Sequence, residues 1–293
     1  MSLGHATAAR ATRRAAIFRS VPRLLLAAAA LAGAAAVAAQ GRGGFGGGAG
    51  AAGNLRQEIP QNPAGFILCR LMYTTSMNAA EQSGSGWSIE TPRAEENFMT
   101  RLSQFTTTKI NRWSDGEPGF AVLRADNPDI YKCPFVMLAS PGSVGFSDSE
   151  VTSLRDYLLK GGFVWADDFW GEASWQHWSR EIKRVLPEYE IVDLTPAHPL
   201  FSTFYQVTRL PQVPSKRRWN RPGDPTSEFG AATAEVHFRA IFDEKGRLLV
   251  FMTHNTDIAD SFEREGDSVE YMETFSPAGY AVGMNLAVWV MSH

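Results

Sequence analysis

The strongest constraint on the fold is an alternation that runs from Tyr131 to Leu194. "YKCPFVMLAS" and "FVWAD" are apolar runs of strand length, and "YEIVDL" is a third, shorter one. Between them lie "SDSEVTSLRDYLLKGG" and "EASWQHWSREIKRVLP", both with apolar residues at helical spacing. Strand, helix, strand, helix, strand predicts an α/β protein with a parallel sheet covered on both faces. Ser147 and Glu150 stand at capping-box spacing before the first helix, and Gly161-Gly162 end it. Pro134 weakens the first half of its strand.

The same reading extends outward. "GFILCRLMY" and "FAVLRA" are further strands, separated by the helix "TPRAEENFMTRLSQFTT", which Thr91 can cap and Pro92 can open. "EVHFRAIFD" and "RLLVFMTHN" predict a hairpin turning on the glycine of "EKG". The tail "SPAGYAVGMNLAVWVMSH" predicts an apolar core helix from about Pro277, too short to span a bilayer. With 44% hydrophobic residues in 293, including 18 Phe and 8 Trp, one large core can be filled. A net charge of -3 argues against nucleic acid or an anionic membrane surface as partner. The basic stretch Ser215–Arg221, "SKRRWNR", reads as a solvated loop, with anion or partner binding as the alternative.

The N-terminus carries targeting signals. Five arginines precede "LLLAAAALAGAAAV", and small residues at Val37 and Ala39 predict a signal peptide over 1–39. Arg13-Arg14 admits twin-arginine export beside the ordinary route. A Gly/Ala-rich tether over 40–62 and a single α/β domain over 63–293 follow, so a periplasmic or secreted protein is expected, with no transmembrane span after cleavage. Cys69 and Cys133 both fall in apolar runs. Export permits a bond between them, but buried free thiols are the simpler expectation.

In parallel sheets, ligands bind beyond the strand carboxyl ends, which is where Asp167 and Asp168 stand. Adjacent carboxylates can attract a hard divalent cation or act as acid and base. Equally, one can cap the next helix while the other orders loop amides. "THNTDIAD" places His254, Asn255 and Asp257 at the end of another strand, though without the glycine and glutamate of a calcium loop. Arg70 interrupts an apolar run and needs an anionic partner if buried; Asp167 or Asp168 is the expected one. Tyr73, Trp87 and Arg93 complete the candidate ligand-binding set. His198, before a proline, reads chiefly as a loop residue.

Seven ordered segments, "FILCRLMY", "TPRAEENF", "FVMLASPG", "LRDYLLKGGFVWADDFWG", "HPLFSTFY", "HNTDIAD" and the C-terminal tail, resemble the bacterial domain-of-unknown-function family 4159 across Pro63 to His293. The resemblance implies a fold similar to class I glutamine amidotransferases, a flavodoxin-like three-layer sandwich with a mostly parallel sheet, here with a C-terminal hairpin and helix. In that fold a cysteine nucleophile occupies a sharp strand-to-helix turn. The matching position falls within Ala166-Asp167-Asp168 and holds no cysteine, which speaks against thiolate chemistry. Three functions stay open. The first is a non-catalytic module binding a small polar ligand or an envelope protein. The others are a metal- or carboxylate-dependent hydrolase and an envelope scaffold without a ligand. No cofactor is predicted beyond a divalent metal as an option.

Overall fold

A computed structural model describes residues 59–60, 65–80 and 86–293. The expected signal peptide and most of the tether lie outside the described residues. Ile59 packs against the core and Pro60 is buried.

The main sheet is built from β1 (Leu68–Met72), β3 (Ala121–Arg124), β4 (Phe135–Ala139), β6 (Val164–Phe169), β7 (Val192–Leu194), β8 (His237–Phe242) and β9 (Leu248–His254). Their order is β3-β1-β4-β6-β9-β8-β7. The first five pair parallel with one another; β8 pairs antiparallel with β9, and β7 pairs antiparallel with β8. Counting the parallel strands alone in chain order gives 2-1-3-4-5, the flavodoxin-like order. The fold is therefore α/β with a mostly parallel sheet, as the alternation predicts. A small ribbon of β2 (Thr74–Thr75) and β5 (Val144–Gly145) sits beside it.

Alternate residues of each strand feed two cores. Leu68, Phe135, Met137, Trp165 and Phe251 face α1 (Arg93–Phe105) and α5 (Val269–Ser292). Cys69, Val136, Leu138, Val164 and Met252 face α2 (Asp148–Leu159) and α3 (Gly171–Val185). The result is three layers. A capping box closes α2, with Ser147 and Glu150 each taking the other's backbone N–H. A short helix, α4 (Asp260–Glu263), follows β9 so closely under α5 that a Cβ at Gly279 would overlap Ser261.

Four expectations need correction. The strand of "YEIVDL" is not the next parallel neighbour of β6. It forms the far edge as β7, and β9 takes the place beside β6. Burial explains the exchange: every residue of β9 is buried, whereas Val192 and Asp193 of β7 are exposed. The last helix begins at Val269, about two turns before Pro277, because Ser268 caps it by accepting from the Tyr271 N–H at 3.1 Å. Pro277 is tolerated on the exposed face, where water can serve the carbonyl its missing N–H leaves free. Thr91 does not cap α1; its hydroxyl donates to Glu95 at 2.7 Å.

The cysteines are not free thiols. Cys69 of β1 and Cys133, just before β4, form a buried disulfide with Cα atoms 5.9 Å apart. It staples neighbouring strands across 64 residues of sequence. Among the described residues, no helix is long and apolar enough to cross a membrane.

Candidate functional site

The carboxyl ends of β4, β6 and β9 open into a cleft of about 850 Å³. Local backbone geometry marks this end of the sheet. The described non-glycine residues with left-handed φ are Glu90 (67°), Ser140 (48°), Asp168 (57°) and Asn255 (60°). Ser140 directly follows β4 and Asn255 directly follows β9. Asp168 lies where the β6–β9 register shifts between Ala166 and Phe169. Such a conformation costs about 1–3 kcal/mol each and persists only where the surroundings impose it.

The bulge gives the two adjacent aspartates different tasks. Asp167 is fully buried and points back into the protein. It accepts from the Thr253 hydroxyl and from the Ala259 N–H, the latter at 2.7 Å, which ties the β9–α4 loop to β6. Trp165 Nε1 donates to the same Thr253 oxygen at 2.9 Å. Burial raises the Asp167 carboxyl to about 6, against the pull of those hydrogen bonds. Asp168 is half-buried and lines the cleft, accepting from Trp170 Nε1 at 3.2 Å and Ser140 Oγ at 3.4 Å.

Asp168 belongs to a triad. Oxygen atoms of Glu90, Asp168 and Asp257 lie within 4.8 Å of one another. Burial pushes Glu90 well above the ordinary carboxylate range; Arg70 opposes the shift, while Asp168, Asp167 and Asp260 add to it. Asp257 is pushed well up by burial first, then by Asp168, Asp260 and Glu90. Glu90 Oε1 is buried with no hydrogen-bond partner. Further along the wall, Glu263 is raised to about 8, by burial and then by Asp260. Crowded carboxylates in such a pocket must either hold protons or share a cation.

Arg70 is fully buried behind this group. Its partners are not Asp167 or Asp168, as expected, but Glu95 (Nε to Oε1, 2.5 Å) and Glu90 (3.4 Å). The reason is placement: α1 packs directly over β1, and its first turn presents Glu95 to the side chain below.

The remaining candidate residues separate into supports and outsiders. Tyr73 Oη lies 3.0 and 2.9 Å from the Ala139 and Ser140 carbonyls and props the end of β4. Asn255 accepts from the Gly171 N–H at 2.8 Å, so it caps α3 from another strand. His254 does not line the cleft. Arg239 donates to its Nδ1 at 3.1 Å, and its Nε2–H donates to the Gly171 carbonyl at 3.0 Å. Burial lowers His254 to about 4, so the ring is neutral at physiological pH. Trp87 packs against the core beside α2 and α3, and Arg93 pairs with Asp267 at 2.9 Å. His198 caps a short turn, accepting from the Leu200 N–H at 3.3 Å.

Sequence reading missed Glu90, Glu263 and Ser140. The demand of Arg70 for a buried anion was the available signal for Glu90 and Glu95. Arg217 and Arg218, from the stretch read as a solvated loop, in fact line the cleft.

Sheet order and cleft together define the class: an α/β protein of mostly parallel sheet with a carboxylate-lined cleft at the strand carboxyl ends. Within that class, the chain belongs to the DUF4159 family, described as a domain of unknown function, whose profile matches residues 70–291. No curated protein matches the chain.

Proposed function

We propose that the protein is an exported ligand-binding module whose cleft holds a divalent cation on Glu90, Asp168 and Asp257. One observation carries the reading: three carboxylates within 4.8 Å, two of them buried, with Arg70 already shared between Glu90 and Glu95. Oxygen-only ligands of this kind suit calcium or magnesium better than a thiophilic metal. The buried disulfide supports an oxidising compartment and hence the exported location. The parallel order 2-1-3-4-5, with Asp167-Asp168 at the carboxyl end of β6, supports the finer likeness to class I glutamine amidotransferases. Both cysteines are tied in the disulfide, which supports a site without thiol chemistry.

Thermal unfolding of wild type and Asp257→Asn with calcium, magnesium, manganese or zinc at pH 7.5 tests the proposal. Wild type should gain about 2.7 kcal/mol at a hundredfold excess of cation over Kd. The gain should shrink at pH 5.5, where the cation must displace protons from the raised carboxyls. Asp257→Asn should lose the response while remaining folded. A wild type indifferent to all four cations, or a variant that responds equally, would overturn the reading.

A metal- or carboxylate-dependent hydrolase is the second reading, favoured by Glu263. A carboxyl raised to about 8 keeps its proton at neutral pH and can act as a general acid in the cleft. Cation-dependent release of p-nitrophenol from its esters, abolished in Glu263→Gln, would favour it over binding alone.

A further inference from the structure

We propose that the cleft takes a ligand bearing a phosphate group, seated at the N-terminus of α3 between the Ser174 hydroxyl and the Arg217 guanidinium. The seat is argued independently of the cation; only the predicted tightening by magnesium rests on the reading above. Three features of the chain converge on this assignment.

First, Gly171, Glu172, Ala173 and Ser174, the opening turn of a 15-residue helix, all line the cleft. Trp170 at the N-cap makes no side-chain capping bond to the helix, and Asn255 satisfies only the Gly171 N–H. The amides of Glu172 and Ala173 therefore lack intrahelical partners at the positive end of the helix dipole, where phosphates bind. Second, Ser174 is only 2% exposed, yet it lines the cleft and its hydroxyl has no hydrogen-bond partner among the described residues. A hydroxyl of a nearly buried residue that lines the cleft and has no protein acceptor or donor is placed to meet an external one. Third, the basic wall has one uncommitted member. Arg218 pairs with Glu228 at 3.0 Å and lies over the Phe229 ring, and Arg264 pairs with Asp260, Glu263 and Asp267. Arg217 is exposed to the cleft and makes no ion pair among the described residues.

Backbone amides, a hydroxyl and a guanidinium approaching from different elements suit a tetrahedral oxyanion better than a planar carboxylate. Asp168 and Asp257 on the same cleft repel a bare anion. A divalent cation between them and the phosphate reverses that sign, because magnesium is commonly held by carboxylates together with phosphate oxygens.

Isothermal titration of inorganic phosphate into the full chain, with and without saturating magnesium, is the test. Magnesium should tighten phosphate binding in wild type. Arg217→Ala and Ser174→Ala should each weaken it roughly tenfold, about 1.4 kcal/mol, with magnesium affinity and circular dichroism unchanged. Asp257→Asn should bind phosphate only as cation-free wild type does, still dependent on Arg217; that result keeps the seat even if the cation reading falls. Wild type that takes magnesium but shows no phosphate binding overturns the proposal, as does equal binding by both variants. Acetate should not compete, and competition equal to phosphate would overturn the phosphate assignment.

Discussion

Arg70→Met removes the guanidinium while keeping much of the unbranched stem. In the native protein that guanidinium is wholly buried, 2.5 Å from Glu95 Oε1 and 3.4 Å from Glu90 Oε2. Both acids are themselves buried, at 0% and 5% exposure, so the variant leaves two carboxyls out of water without a counter-charge. Breaking a buried pair in this way costs about 3–5 kcal/mol. For a domain of this size each kcal/mol corresponds to about 2–4 °C, so Tm should fall by about 6–20 °C. The deficit also has a predictable pH dependence. Without Arg70, which holds it down, the folded-state value of Glu90 rises further above its unfolded value. Stability from such a group is complete below the unfolded pKa and is lost as pH rises through the folded one. The gap to wild type should therefore widen from pH 5 to pH 8. Urea unfolding at both pH values measures it. A loss below about 1 kcal/mol at pH 8, or a gap that narrows with pH, would refute the claim that the arginine neutralises this end of the sheet. The triple variant Arg70→Met, Glu90→Gln, Glu95→Gln should recover most of the loss, since it removes the stranded charges as well.

The disulfide closes a span of 64 residues, so the double variant Cys69→Ala, Cys133→Ala should lose about 4 kcal/mol by chain entropy in urea melts, and a loss under about 1 kcal/mol would contradict that account. His254 should titrate near 4 by NMR, against an ordinary value of 6.5. Because its folded value is depressed, its contribution is present above pH 6.5 and disappears toward pH 4, on the order of 3 kcal/mol. Asp167, raised to about 6, acts in the opposite sense over pH 4–6, so Asp167→Asn should expose the histidine dependence by removing the compensation.

Much of this architecture is written locally. The capping box at Ser147 and Glu150, the glycine turn at Gly246, the strand of "FVWAD" and the helix of "EASWQHWSREIKRVLP" depend on residues within a few positions of one another, where side-chain period and capping chemistry act directly. Asp168 and Asp257 were also visible as polar residues at strand ends. The unmet need of Arg70 was visible too, though not its answer. What the local pattern leaves open is adjacency. Whether β7 or β9 stands beside β6 depends on which strand can be buried on both faces. Whether Cys69 meets Cys133 depends on β1 lying next to β4.

The site shows the same division. Sequence alone determined that acidic residues gather at the carboxyl ends of parallel strands. Only the tertiary structure decided that Asp167 turns inward to hold the Ala259 amide while Asp168 joins Glu90 and Asp257 in the cleft. Two neighbours in a regular strand would point to opposite faces. Here the register shift in β6 and the left-handed backbone at Asp168 reset the second direction, and both arise from long-range pairing with β9. Glu90 and Asp257 lie 167 positions apart in the chain, and electrostatic crowding between them exists only once folding has removed the water from both.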